Sequence, residues 1–138
     1  MDIKRRARNL YQKYQTSCPF TIAKKLGITT MYLDLPDGVK GYQDRVLRRK
    51  IIVINQNIPE EEQRFVCAHE LAHFRLHKDF SHYFITRHTR FPLGLYENQA
   101  DEFATYLLTA SEERGIDEPT EWFLARCGIP TEMSRYVM

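Results

Sequence analysis

Apolar residues recur every three to four positions over residues 2–15, DIKRRARNLYQKYQ, where Ile3, Ala7, Leu10, Tyr11 and Tyr14 share one side of a charged helix. Pro19 opens a second short helix, PFTIAKKLG, with Phe20, Ile22, Ala23 and Leu26 as its packing side and Gly27 as its end. The pattern then changes to that of strands. Residues 28–35, ITTMYLDL, are rich in β-branched and aromatic side chains. Pro36-Asp37-Gly38 is a turn in which the proline sets φ and the glycine supplies a positive φ. Residues 39–46 and 48–54 predict two further strands, with a hairpin corner at 45–49. Residues 51–54 are apolar without interruption, as expected of a strand covered on both faces.

A long helix follows at about residues 60–77, EEEQRFVCAHELAHFRLH, entered through Pro59 and three glutamates that complement the helix dipole. Its apolar residues lie on nearly all sides, which marks a buried helix. Residues 78–94 are a loop with a short strand at 82–87, and a strong helix, LYENQADEFATYLLT, runs from about 95 to 109. Two short helices, about 119–127 and 131–137, flank Gly128-Ile129-Pro130. Without repeats or a linker, the chain reads as one domain, 1–138. The order of elements predicts an α+β fold, a small antiparallel or mixed three-stranded sheet packed against a helix bundle.

Within the apolar helix stands His69-Glu70-Leu71-Ala72-His73. A spacing of four turns the second histidine about 400° around the axis and about 6 Å along it, so both share a face. Two imidazoles so placed reach one Zn²⁺. Glu70 points about 100° away from His69, which suits a carboxylate that works on water at a metal rather than on the metal itself. The alternative is an amphipathic helix with surface histidines, and a run that is apolar on nearly all sides stands against it. Buried histidines and a buried glutamate need partners, and a metal supplies them.

Composition narrows the field. With 43% hydrophobic and 28% charged residues the chain is globular, and a formal charge of +2 gives no case for nucleic-acid binding. No apolar run is long enough for a membrane span, and the basic N-terminus lacks the apolar segment of a signal peptide. The cysteines, Cys18, Cys67 and Cys127, are odd in number and widely spaced, which fits a reducing cytoplasm and no cysteine zinc site. Cys67 should face away from the histidines, as a small core residue.

A catalytic zinc wants three protein ligands. His77 continues the histidine row, but three ligands along one helix span about 12 Å, too far for one ion, so it is read as a packing or hydrogen-bonding residue at the helix end. Glu97 opens the next long helix, and Ala100, Asp101, Ala104 and Leu108 continue its face. Two alanines there let the helices approach. Glu97 is the candidate third ligand, and Asp101 the candidate acceptor for the free N–H of a ligating histidine. The alternative is that both are the acidic first turns of a helix.

The pairing of QRFVCAHELAHFRLH with ENQADEFATYLL resembles the ImmA/IrrE family of small metallopeptidases from bacteria, phages and integrative elements, over roughly residues 20–110. Both helices also look like the gluzincin arrangement. The resemblance implies a zincin-type helix bundle, with His69, His73 and Glu97 as Zn²⁺ ligands, Glu70 as the catalytic carboxylate and Asp101 supporting a histidine. It implies a cytoplasmic zinc endopeptidase that cleaves a helix-turn-helix repressor and so releases genes of a phage, mobile element or stress response. Thr109-Ala110 stands where the family often has Met-Pro. Tyr42, His82, Tyr83, His88 and Arg90 are candidate oxyanion donors. Two other readings remain: a non-proteolytic metal-containing regulator that binds a repressor, and a DNA-binding module on residues 2–27, against which the near-neutral charge stands. Oligomeric state is left open by the sequence.

Overall fold

The computed structural model describes residues 1–77 and 93–137. Helix α1 (Ile3–Tyr14) is capped by Asp2, whose carboxylate accepts from the Arg5 N–H at 3.0 Å. It buries Ile3, Ala7 and Leu10. Helix α2 (Pro19–Lys25) begins at its proline and is followed by Gly27 at φ +77°, the left-handed geometry that stops a helix. Three strands follow, β1 (Ile28–Leu33), β2 (Gly41–Val46) and β3 (Arg49–Asn55).

The sheet order is β1-β3-β2, with β1 parallel and β2 antiparallel to β3. The expected three-stranded sheet is therefore mixed, and the fold is α+β. β3 is central, and Ile52, Val53 and Ile54 are buried in it. The hairpin turn tightens to Leu47 and Arg48, with Leu47 at φ +58° and almost wholly exposed. The parallel step from β1 to β3 runs through β2, so both edges of the sheet are unpaired among the described residues.

Helix α3 (Glu60–Leu76) lies across the sheet and against α2 and α4 (Leu93–Thr109). These neighbours explain its all-round hydrophobicity: Val66, Cys67, Ala68, Leu71, Ala72 and Phe74 are all buried. α4 supplies Ala100 and Ala104, both without solvent exposure, where it meets the other helices. On its far side α1 packs against it. The chain closes with α5 (Thr120–Arg126) and a 3₁₀ helix (Thr131–Tyr136) that rests on α4, where a short α-helix was expected. Pro130 precedes it without a side-chain cap, and the element is six residues long. The expected strand at 82–87 lies outside the described residues.

Gly41 starts β2 beside α3. A Cβ built there would stand 2.6 Å from the Val53 carbonyl oxygen and 2.6 Å from Val66 Cγ1.

Candidate metal centre

α3 and α4 bring His69, His73 and Glu97 together, with one ligand-type atom from each lying within 4.8 Å of the others. His69 Nε2 is 3.0 Å from Glu97 Oε2, His73 Nε2 is 3.0 Å from Glu97 Oε1, and the two Nε2 atoms are 3.3 Å apart. One turn along α4, Asp101 Oδ1 sits 2.8 Å from His69 Nδ1. The i, i+4 spacing on α3 sets the histidine pair, and the same spacing on α4 sets the carboxylates. The alternative of a merely acidic first turn places neither carboxylate against an imidazole.

The donor set holds more lone pairs than hydrogens. Asp101 can only accept, so His69 Nδ1 carries the hydrogen and Nε2 is bare in the neutral ring. That bare nitrogen faces another nitrogen and a carboxylate oxygen. Glu97 Oε1 approaches His73 Nε2 but is too poorly directed for a hydrogen bond, and it is buried without one. Glu70, only 3% exposed, likewise has Oε2 buried with no hydrogen-bond partner. Buried polar atoms left so are costly, and a divalent cation among them removes the cost. These residues fit a zinc ion.

The electrostatics favour positive charge at the same point. Burial alone would lower the His69 pKa, but hydrogen bonds to Asp101 and Glu97 overcome it and push the ring up to about 10, so a proton on Nε2 competes with a cation for that lone pair. Burial would raise Glu97, yet its close contacts with His69 and His73 hold its carboxyl well below the usual range. His73 is pushed down to about 4, chiefly by burial, and so is a neutral ring at neutral pH. Burial lifts the Glu70 carboxyl to about 7, against the pull of His69.

A cleft of about 410 Å³ opens on the cluster. His69, Glu70 and Glu97 form its floor, Lys40 and Gly41 one rim, and Pro130 and Met133 another wall. The last two were not foreseen, because nothing in the C-terminal sequence signals that it returns to α4. Tyr42 is half-buried on β2, one residue past that rim, and is not among the cleft's lining residues. His82, Tyr83, His88 and Arg90, the other proposed oxyanion donors, lie outside the described residues. Cys67 is fully buried in the core.

A pair of histidines one turn apart on one helix, faced by a glutamate on the next and flanked by a small sheet, is a donor set that could hold a metal ion. The IrrE N-terminal-like domain family, Peptidase_M78, matches residues 23–120, and the chain belongs to this peptidase family. It is also similar to the uncharacterized immunity region protein 2 of Bacillus phage phi105, 32% identical over 136 residues that cover 96% of this chain and 86% of that protein. No helix among the described residues is long and apolar enough to cross a membrane.

Proposed function

We propose that the protein is a zinc-dependent endopeptidase of the cytoplasm whose substrate is a helix-turn-helix repressor. The observation that carries the hydrolytic reading is the buried, partnerless oxygen of Glu70 beside the His69–His73–Glu97 cluster. The repressor is supported by the family resemblance and by the phage immunity region to which the phi105 relative's name assigns that relative.

His69, His73 and Glu97 would hold Zn²⁺. When bound, the ion supplies Lewis acidity, acidifying water and polarising a peptide carbonyl. Glu70 accepts the proton of the attacking water. Its burial, which raises its proton affinity toward neutrality, lets the same carboxyl return that proton to the departing amine. Asp101 holds the His69 ring by Nδ1 and keeps Nε2 turned inward. The cleft rim at Gly41 offers the start of an edge strand, along which an extended peptide can lie by main-chain pairing.

The test combines purified protein, Zn²⁺ and the repressor encoded nearest its gene, with fragments read on a gel. Glu70→Gln should keep the metal and lower cleavage by about 10²- to 10⁴-fold. Full activity in that variant would remove Glu70 from the mechanism. Repressor binding without fragments in the wild type would favour the non-proteolytic regulator.

A further inference from the structure

We propose that His77 and Gln99 are positioning residues for His73, together fixing which of its ring nitrogens carries the hydrogen. The inference rests on the reading of His69, His73 and Glu97 as a metal cluster. Sequence spacing alone makes His77 a residue of the helix end. In the structure it is the C-cap of α3, 7% exposed, with its ring stacked on Tyr96 at 4.2 Å between centroids and 22° between planes. Its two nitrogens face two different partners. Nδ1 is 3.1 Å from His73 Nδ1, and Nε2 is 2.7 Å from Gln99 Oε1.

With both rings neutral, these contacts allow one arrangement of hydrogens. The Gln99 amide oxygen only accepts, so His77 Nε2 donates. A neutral imidazole has a single N–H, so His77 Nδ1 presents a lone pair. His73 Nδ1 then donates to it, and His73 Nε2 is left bare. That atom is the one facing Glu97 and His69, at 3.0 and 3.3 Å. Gln99 and His77 thus do for the second histidine what Asp101 does for the first.

The two devices differ in charge for a reason. The His73 side chain has no solvent exposure, and the Glu97 carboxylate already lies against it. A neutral relay orients the ring without adding a second carboxylate beside it. The relay also bridges the same two helices as the cluster, His77 lying one turn beyond His73 and Gln99 two residues beyond Glu97. Turning the Gln99 amide over would reverse every hydrogen. His73 would then carry its hydrogen on Nε2, where it blocks the lone pair a metal needs.

Three substitutions in the full chain test this. His77→Phe keeps an aromatic ring on Tyr96 but removes the acceptor. Gln99→Leu removes the terminal acceptor, and Gln99→Glu keeps it while forbidding the reversed arrangement. Zinc affinity is read by competition with a chromophoric chelator, and the hydrogen on His73 by ¹⁵N shifts of the metal-free protein. His73 should carry its hydrogen on Nδ1 in the wild type and become a mixture in His77→Phe and Gln99→Leu. Both of these should bind zinc about 10- to 100-fold more weakly, and Gln99→Glu should bind as tightly as the wild type. Wild-type affinity in His77→Phe, or a wild-type His73 with its hydrogen on Nε2, would overturn the relay. Gln99→Leu carries the test if circular dichroism shows His77→Phe unfolded. A wild type that binds no zinc would defeat the metal reading, and the ¹⁵N spectra would still decide the relay.

Discussion

Among the described residues, two clusters join cationic and anionic groups at close range, and one of the two has unmet demands. On the surface, Arg126 binds Glu118 at 2.7 Å, Glu112 at 3.2 Å and the Glu113 carbonyl at 2.6 Å. Hydrogen bonding to Arg126 holds the Glu118 carboxyl down to about 2. Between α3 and α4, the histidines and glutamates show shifts as large, but Glu70 and His73 are buried, His69 and Glu97 are partly so, and Oε2 of Glu70 and Oε1 of Glu97 find no hydrogen. A perturbed carboxyl alone therefore does not mark a chemical site. Burial with lone pairs left over does, because only an added cation or a reactant completes it.

The sharpest way to break this contrast is to remove one charged side chain from each cluster. Glu97→Ala should abolish zinc binding and cleavage together, whereas Arg126→Ala should leave both intact. Stoichiometric zinc in dialysed Glu97→Ala, measured by elemental analysis, would refute the assignment of Glu97. Next in size is metal removal. Zinc at a hundredfold excess over its Kd should stabilise the folded protein by about 2.7 kcal/mol. A thermal midpoint that does not rise between chelator and zinc would mean that the ion is not bound by the native state.

Ala104→Leu probes the close seating of the α3–α4 pair and should cost about 1–3 kcal/mol by overpacking, checked by urea denaturation. The smallest effect belongs to Glu118. Its folded pKa lies below the ordinary 4.5, so its stabilisation is present above that value and fades as pH falls toward 2. Glu118→Gln should be slightly less stable than wild type at pH 7, with the gap closing at pH 2–3 in denaturation curves. A gap that persists in acid would assign the loss to packing instead.

Much of this architecture is legible in one dimension because it repeats. The apolar run of β3 and the all-round hydrophobicity of α3 each reflect how many sides are covered, and the folded elements agree within a few residues. The α3 face that carries His69 and His73 follows from the same period. What escaped was whatever depends on register between distant segments. Gln99 meets His77 only because α4 seats where it does, and no spacing within either helix encodes that. Pro130 and Met133 reach the cleft by the return of a 3₁₀ turn whose sequence has no period to read. The hairpin turn was placed in the right region, but a leucine at positive φ is not what turn chemistry leads one to expect there.

The contact at Gly41 has a consequence for the mouth of the cleft. One hydrogen in place of a methyl is the whole of the clearance between the first residue of β2 and the helix that carries the histidines. Any larger residue meets a main-chain oxygen on one side and a branched γ-carbon on the other, neither the free end of a flexible side chain. The strand would have to lift away, and the mouth of the cleft would widen with it. Position 41 acts as a spacer of fixed thickness, and the reach from the rim to the Glu70 carboxyl is set there.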